Sequence, residues 1–428
     1  MKRAFSLALT ALLLAGCTAA PTTSGDAAAS AAPAPSPAAE NTEATAAAST
    51  EPLQPLQPGD EKQYYMAEDV KGNDSLLRYR VADLTDCSER IPCDIAGCTH
   101  DSEDCPAVAQ RAFGNRLWVL DDNTLLSLQY SDEDFSTTLT LMNRDCQNRR
   151  VLATLDGYDL FSSVNAAYTD GSALYSYGRQ ENQEGIYRVD LENGKITEVQ
   201  PFSTVYSLPI LGTIGRNFVL KTSSITYPEP TGDLEADATA LPTGTVTHSL
   251  LNVDTGEVRE LYTYSSDDWN LDTLDAHVVN GQYYQIDRVA GILNTIDPDT
   301  GEVRQITDQL PITEPDAYAN YMPQAVLDSW MVFYDLPVIV NVETGEVRQR
   351  AELPETYWNG YGHQPSIYLQ LQDRLLVDCR YEPYTRTVLG TDGTPYTVET
   401  NHIYLGLISA DDFLNGVPNY TEVGEYAT

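Results

Sequence analysis

The sequence predicts an all-β protein, a β-propeller of seven four-stranded blades that follows a disordered N-terminal tether. Three observations predict this fold: a hairpin phrase that recurs four times, a turn signal that recurs seven times, and the near absence of helical periodicity. Propellers of six or eight blades are the neighbouring alternatives. Two stacked β domains are the alternative architecture.

A short turn phrase joins pairs of strand-like runs at four places in the chain. Each copy contains a glycine followed by Glu or Lys, and glycine readily takes the left-handed conformation that such a tight turn needs. Runs of β-branched and apolar residues flank the copies, which predicts β-hairpins. The four copies lie at 191–195, 253–257, 297–302 and 342–346.

A second marker is a glycine or aspartate shortly before an aromatic or apolar strand. It recurs at intervals of 44 to 66 residues, and the longest intervals contain insertions, a Cys-rich segment at 87–105 and an acidic, Pro-rich loop at 227–242. A repeat of this length indicates stacked units, and four antiparallel strands per unit make a propeller. The seven markers are Gly59, Gly114, Gly171, Gly215, Gly281, Asp328 and Asp373.

Ring closure is the open point of this prediction. Blade one has no recognisable innermost strand before Gly59. The C-terminal segment 420–428 can supply that strand or complete the last blade, and both alternatives stay open. One segment, 409–414, has the pattern of a short helical turn.

The N-terminus predicts export and lipidation. Lys2 and Arg3 precede a short apolar stretch, and Leu14-Ala15-Gly16-Cys17 then resembles the lipobox of bacterial lipoproteins. The resemblance implies removal of residues 1–16 as a signal peptide and attachment of lipid, palmitate included, to Cys17. The alternative is a plain secretory signal with a chance cysteine. The apolar stretch is shorter than the roughly 20 residues of a membrane-spanning helix.

Residues 17–58 are rich in Ala, Pro, Thr, Ser, Glu and Gln, a composition that cannot bury enough apolar surface to order itself. We therefore expect a flexible linker, with the folded domain at 59–428. Together these features predict a protein held on the extracytoplasmic face of the cell membrane by its lipid alone.

The charge restricts the partners. Lys and Arg number 25 against 63 Asp and Glu, so the formal net charge is −38. Such a surface repels nucleic acid and anionic lipid head groups, and we expect neither as a partner beyond the lipid anchor. High acidity also keeps an exported monomer soluble, which is the simpler reason for it.

The hairpin phrase is similar to the repeats of quinoprotein-type propellers and of outer-membrane assembly lipoproteins, over about 62–428. Quinoprotein repeats usually carry tryptophan after the Thr-Gly turn, whereas this chain has Val258, Val303 and Val347 near those positions. This departure removes the reason to expect a quinone.

The Cys-rich segment contains Cys93, Cys98, His100 and Cys105 in the pattern Cys-x4-Cys-x-His-x4-Cys. It resembles a segment in lipid-anchored propeller proteins of gut-dwelling Gram-positive bacteria, most of which lack an assigned activity. Three thiolates and an imidazole can complete a tetrahedral structural zinc site. An exported protein usually oxidises its thiols, so disulfides are the competing hypothesis, and free thiols are the third.

Two further cysteines are candidates for a disulfide. Cys87 lies outside the four-residue pattern, and Cys146 occupies a hairpin equivalent to the repeated turns, so the two can pair. Cys379, in an apolar strand, is interpreted as a small buried side chain.

Aromatic residues before two innermost strands are candidates for ligand contacts. Loops at these positions line one face of a propeller, where aromatic rings can hold a sugar or a peptide. Packing between blades is the alternative role. The candidates are Tyr318, Tyr321, Tyr357, Trp358 and Tyr361.

The sequence contains no Gly-x-Ser-x-Gly, His-Glu-x-x-His or phosphate-loop motif. This favours a surface-tethered binding or scaffold protein that uses one propeller face to hold a protein, peptide or glycan. The alternative is an extracytoplasmic hydrolase or lyase that acts on carbohydrate through acidic residues at the channel. Catalysis stays open, and zinc is the one cofactor with support.

Overall fold

The structure, a computed structural model, describes residues 50–427 apart from a set of internal gaps. The predicted signal peptide, Cys17, most of the predicted linker, Tyr318 and nearly all of the 227–242 loop lie outside the described residues. The gaps are 71–72, 112, 132, 161–166, 182, 203–209, 227, 230–242, 267–273, 313–320, 335, 352, 354–355, 359–360, 364 and 390–393.

Short antiparallel strands make up nearly all regular structure in the first half of the described chain. A two-residue strand, β1 (Gln54–Pro55), precedes the first blade. Blade one contains β2 (Gln63–Val70), β3 (Asn73–Asp83), β4 (Ser88–Arg90) and β5 (Val108–Gln110), and blade two contains β6 (Phe113–Val119), β7 (Thr124–Ser131), β8 (Ser136–Asn143) and β9 (Arg150–Asp156). Blade three contains β11 (Ala167–Thr169), β12 (Ala173–Gln180), β13 (Gln183–Asp190) and β14 (Ile196–Phe202), with β10 (Tyr158–Asp159) beside β12.

The same four-stranded unit continues through the second half. Blade four contains β15 (Ile210–Ile214), β16 (Asn217–Thr226), β17 (Thr243–Asn252) and β18 (Val258–Ser266), and blade five contains β19 (Leu274–Val279), β20 (Gln282–Asp287), β21 (Ile292–Ile296) and β22 (Val303–Thr307). Blade six contains β23 (Pro323–Leu327), β24 (Trp330–Phe333), β25 (Val338–Asn341) and β26 (Val347–Gln349), and a hairpin follows, β27 (Thr356–Trp358) and β28 (Tyr361–His363). Blade seven contains β29 (Ile367–Gln370), β30 (Arg374–Leu389), β31 (Pro395–Ser409), the helix α1 (Ala410–Asn415) and β32 (Thr421–Ala427).

Seven blades close into a ring, which confirms the predicted fold. Each of the seven interfaces between neighbouring blades holds its own apolar cluster, with buried residues from both blades. Because every blade packs between two neighbours, successive side chains along its strands point alternately to two buried faces. Cluster members from the two sides are Tyr79 with Leu125, Leu139 with Tyr187, Tyr175 with Phe218, Val219 with Tyr283, Ile286 with Met331, Val332 with Leu375, and Leu405 with Met66.

The C-terminal segment completes blade seven rather than supplying a strand to blade one. Strand β32 pairs with β31, and the Glu425 amide donates to the Glu89 carboxylate of blade one at 2.8 Å. Packing and side-chain hydrogen bonds therefore close the ring. The predicted helical turn is confirmed as α1, whose N-cap Ser409 accepts from the Asp412 amide at 3.0 Å.

The repeated hairpins connect the third and outermost strands of blades three to six, as predicted. Their glycines, Gly194, Gly256, Gly301 and Gly345, have φ between 70° and 77°. Each glycine also lies against the outermost strand of the preceding blade, so the repeat has an inter-blade packing role as well as a turn role. Cys146 is in the equivalent hairpin of blade two, as expected, and has φ 61°.

One turn signal was interpreted wrongly. Gly114 was expected to form a turn before a strand at 117–119, but it lies inside the innermost strand β6, which ends at Val119. The turn that follows is at 121–123, where the Asp121 side chain accepts from the Asn123 amide. The error arose because a bulge between Phe113 and Arg116 puts glycine within a strand.

The folded domain begins before Gly59, the boundary expected from composition. Residues 53–58 run past the inner ends of blades four, three and two to β2 of blade one: the Leu53 amide donates to the Gly215 carbonyl at 2.9 Å and the Leu56 amide to the Ala167 carbonyl at 2.8 Å. Leu53 is 3% exposed, so this apolar residue anchors a segment of otherwise linker-like composition. No helix of the described chain is long and apolar enough to cross a membrane.

Arg216 connects the start of the domain to blades three and four. Its guanidinium donates to the Asp170 carboxylate at 2.8 Å and the Glu51 carbonyl at 2.8 Å, and it also pairs with Asp254. Burial acts to raise the pKa of Asp170, but hydrogen bonds from Arg216 and from the hydroxyl and amide of Ser172 outweigh it and lower the pKa to about 2.

The lowered pKa of Asp170 predicts that part of the free energy of unfolding is lost in acid. Because the folded-state pKa of Asp170 lies below its unfolded value, its contribution is present above about pH 4 and is lost as the pH falls towards 2. We expect Asp170→Asn to have lower stability at neutral pH and a smaller fall between pH 4 and pH 2, measured by urea unfolding. Asp134→Asn, at an exposed position, should keep the wild-type pH dependence. An equal fall in the free energy of unfolding between pH 4 and pH 2 in all three proteins would contradict this account.

Candidate metal centre and channel cavity

The Cys-rich segment interrupts the outermost strand of blade one. Strand β4 pairs with Val81 to Asp83 of β3, and β5 pairs with Leu76 to Arg78 on the same edge. The intervening residues 91–107 therefore form a loop inserted into a single strand position. The two ends of the loop both pair with β3, so they lie close to each other.

Tight turns direct the cysteines inwards. The Cys98 amide donates to the Ile95 carbonyl at 3.1 Å, and the Cys105 amide donates to the Ser102 carbonyl at 3.0 Å. Gly97 has φ 75°, the left-handed value that the third residue of a type II turn requires. His100, between the two turns, is also left-handed, with φ 56°.

The four predicted side chains, Cys93, Cys98, His100 and Cys105, meet at one point. Their candidate ligand atoms all lie within 4.8 Å of one another, and His100 Nδ1 is 3.3 Å from Cys105 Sγ. Sulfur atoms around a tetrahedral zinc ion are separated by about 3.8 Å, given Zn–S bonds of about 2.3 Å. The cluster is thus close enough to bind a metal ion.

The surroundings suit a structural site. Cys105 is 1% exposed, and Val70, Leu76 and Ala107 pack around the cysteines. Burial raises the pKa of the Cys105 thiol to about 12, with a further increase from the neighbouring thiols and an opposing hydrogen bond from the Ala107 amide. A divalent cation favours the thiolate and so opposes the effect of burial.

The disulfide hypothesis fits this arrangement less well. All six cysteines of the described chain are unbridged, and three thiols converge on one imidazole, so a single disulfide would leave one thiol unpaired. Cys87 packs in the cluster between blades seven and one, whereas Cys146 packs between blades one and two. The two therefore lie on opposite faces of blade one. Cys379 is half-buried in blade seven beside Gly406.

A second feature is a cavity of about 660 Å³ in the central channel. Blade one lacks a full innermost strand, because only Pro58 and Gly59 lie beside β2, while Gln57 pairs with Val119 of blade two. Strand β2 otherwise faces the channel directly. Residues 56–58 cross one side of the cavity and form its floor. The remaining lining residues are Tyr64, Tyr65, Met66, Ala67, Tyr79, Asn115, Arg116, Leu117, Trp118, Ala167, Tyr334, Ile367 and Tyr368.

The cavity is aromatic and carries positive charge. Tyr64 and Tyr368 meet edge to face with ring centroids 6.4 Å apart. Arg116 is the single charged side chain in the described lining, and burial lowers its pKa from the usual value. The described lining holds no carboxylate, so it offers no pair of acidic groups for glycoside hydrolysis.

Of the aromatic residues predicted from sequence, Tyr321 alone has a described side chain, and it does not line this cavity. Tyr321 is buried in the cluster between blades five and six. Tyr357, Trp358 and Tyr361 belong to the β27–β28 hairpin, which lies beside β30. Sequence reasoning missed the cavity aromatics, although the absent innermost strand before Gly59 was a signal for them.

Comparison with known proteins gives only distant similarities to solved structures. Neither the protein-family models nor the curated proteins gave a match. Among solved structures, the chain is similar to the β-propeller domain of the Trilobed protease from Pyrococcus furiosus, at 10% identity and a TM-score of 0.48, over 88% of this chain and 99% of that one. It is also similar to an oligogalacturonate lyase from Vibrio parahaemolyticus, at 12% identity and a TM-score of 0.37, over 87% of this chain and 86% of that one. A third similar structure is TolB from Acinetobacter baumannii, at 10% identity and a TM-score of 0.35, over 86% of this chain and 80% of that one.

These similarities are too low to bear on activity. The fold assignment rests on the chain's own strand order and on its ring of seven interfaces. The chain is accordingly a seven-bladed β-propeller protein with a four-residue Cys/His cluster on blade one and an aromatic cavity in its channel.

Proposed function

We propose that the protein is an extracytoplasmic binding lipoprotein, lipidated at Cys17 and tethered to the cell surface, that holds a protein, peptide or glycan ligand in its channel cavity. The observation that carries this proposal is the gap in the innermost layer of blade one, which widens the channel into a cavity. A volume of about 660 Å³ lies within the range of small-ligand sites.

The chemistry of the lining supports binding rather than reaction. Aromatic faces stack on sugar rings and on apolar side chains, and the tyrosine hydroxyls and the Arg116 guanidinium supply polar contacts. A binding site needs such convergent contacts, whereas hydrolysis of a polysaccharide would also need paired carboxylates. The hydrolase or lyase alternative has no support among the described lining residues.

We further propose that the Cys/His cluster holds a structural zinc ion. Zinc prefers this donor set, and a site with four protein ligands leaves no open position for a substrate. The ion would replace the hydrophobic core that the inserted loop is too short to build by itself. Its effect on the ligand cavity would be indirect, through the geometry of blade one.

The proposal predicts that loss of one cavity aromatic weakens binding. We expect residues 18–428, immobilised, to enrich a component of a cell-wall, mucin or peptide fraction, and Trp118→Ala to lower the apparent affinity about tenfold, the effect of a lost aromatic anchor. Trp330→Ala is the matched control, because Trp330 lies outside the cavity and packs under Arg348. Surface plasmon resonance measures both variants.

Two results would argue against this function. Equal losses in the Trp118 and Trp330 variants would mean that the effect is on stability and not on a site. Enrichment of no component in any fraction would remove the binding proposal. Release of new reducing ends from a polysaccharide would instead support the enzymatic alternative.

A further inference from the structure

The inner edge of β2 carries backbone groups that point into the cavity. The Tyr65 amide donates inwards to the Pro58 carbonyl at 2.8 Å, and the Tyr79 amide, opposite Ala67, donates outwards to the Ala107 carbonyl at 2.8 Å. Because backbone groups alternate in direction along a strand, both the amide and the carbonyl of Ala67 face the channel. Ala67 is exposed, and no backbone partner on that edge occurs for it within the described chain.

We propose that the cavity takes the carboxyl-terminal end of an extended peptide, which adds to β2 as the missing innermost strand of blade one. This inference rests on the proposed binding function and names its ligand class. Addition of a strand to an open sheet edge is a common mode of peptide recognition, in which main-chain hydrogen bonds provide affinity. A glycan cannot supply the alternating amide and carbonyl groups that this edge requires.

The shape of the cavity selects the direction of the peptide. Pro58 and Gly59 already run antiparallel to β2 at the floor, where the Pro58 carbonyl accepts from the Tyr65 amide and Gly59 pairs with Tyr64. A peptide in line with them would run down the channel and end where Gln57 and Pro58 block it. Its last residue therefore brings a free carboxylate into the cavity.

The charge selects the same end. Arg116 is the single charged side chain of the described lining, in a protein of net charge −38, and it lies on the innermost strand of blade two. A guanidinium pairs with a carboxylate through two parallel hydrogen bonds and repels an ammonium group. The amino-terminal end of a peptide is thus disfavoured.

The aromatic lining provides pockets for side chains on both sides of the added strand. Side chains of an extended peptide alternate between two directions. One direction leads towards Tyr64 and Tyr368, in the interface with blade seven, and the other towards Tyr65 and Leu117, in the interface with blade two. Apolar side chains at alternate positions are the expected preference.

The test uses two arrays of the same random eight-residue peptides, one with free carboxyl termini and one with carboxyl-terminal amides. We expect labelled residues 18–428 to bind a subset of the free acids at least about tenfold more tightly than their amides, as expected for a hydrogen-bonded charge pair. Arg116→Gln should lose this difference. Ala67→Pro, which removes the inward amide, should lose binding to both arrays by at least about tenfold.

Each outcome is decisive. Equal binding of free acids and amides, or full binding by Ala67→Pro, would overturn the inference. If Ala67→Pro fails to fold, as judged by circular dichroism, the Arg116→Gln comparison decides alone. If no peptide binds but a glycan fraction does so in a Trp118-dependent manner, the peptide inference fails and the proposed binding function stands.

Discussion

Cys105→Ser should abolish binding of a single zinc ion per chain and release the loop at 91–107. Cys105 is the most buried of the four candidate ligands and lies 3.3 Å from the imidazole of His100, so its loss leaves three donors and an open position. Structural zinc sites contribute about 10–16 kcal/mol of apparent binding free energy in small peptides, which makes this the largest expected effect. Metal analysis by mass spectrometry measures the zinc content.

The consequence for stability should be local. The seven inter-blade clusters do not depend on the loop, so the propeller should stay folded while the amides of 91–107 lose protection from hydrogen exchange. Cys379→Ser is the matched control, because Cys379 lies in blade seven and should leave zinc content unchanged. Purified wild-type protein with no zinc and no free thiols would contradict the metal site and support disulfides.

The second large effect is expected at a repeated hairpin. In Gly345→Ala the new methyl group would overlap the carbonyl oxygen of Ile306, on the outermost strand of the preceding blade. The residue also has φ 77°, which costs alanine about 1 kcal/mol or more. Because the contact is with backbone, the two blades must separate, and we expect a loss of about 3 kcal/mol in urea unfolding.

The same substitution in the equivalent hairpin of blade five separates the cost of inter-blade packing from the cost of backbone strain. Gly301 has φ 72°, but there a methyl group would lie 3.7 Å from the Leu261 carbonyl oxygen, an ordinary contact. Gly301→Ala should therefore cost only the backbone strain, about 1 kcal/mol. If the two variants lose equal stability, the repeated glycines serve the turn alone and the inter-blade role is wrong.

The architecture was predictable because local chemistry repeats. Asn252 and Asp297 each cap their hairpin by accepting hydrogen bonds from the amides two and three residues later, and such turns can be recognised without tertiary information. The prediction of a turn at Gly114 was wrong because it needed tertiary information. A glycine in a strand bulge and a glycine in a turn have the same sequence signal, and only the pairing of β6 with β7 separates them.

The sequence predicted which four residues form the Cys/His cluster, but it did not predict how their side chains are arranged. The spacing of Cys93, Cys98, His100 and Cys105 suggested a shared site, whereas zinc, disulfides and free thiols all stayed compatible with it. The distances between sulfur atoms depend on the turns at 95–98 and 102–105 and on packing against Val70 and Leu76. Those contacts involve β2 and β3, which are distant in sequence from the last two ligands.

The channel cavity could not be predicted residue by residue. Its lining comes from the N-terminal segment and from blades one, two, three, six and seven, so no local pattern joins Tyr65, Trp118 and Tyr368. The sequence did indicate the cause, because blade one lacked an innermost strand before Gly59. Leu53 and Leu56, within a linker-like composition, are the residues that place the floor of the cavity.

Site-specific photocrosslinking tests most directly whether the cavity is the ligand site. A benzoylphenylalanine at position 368, in the cavity, should crosslink to a component of the cell-wall, mucin or peptide fraction. The same group at position 396, where Tyr396 is 53% exposed and outside the cavity, should not. Crosslinks at position 396 alone, or at neither position, would contradict the proposed function.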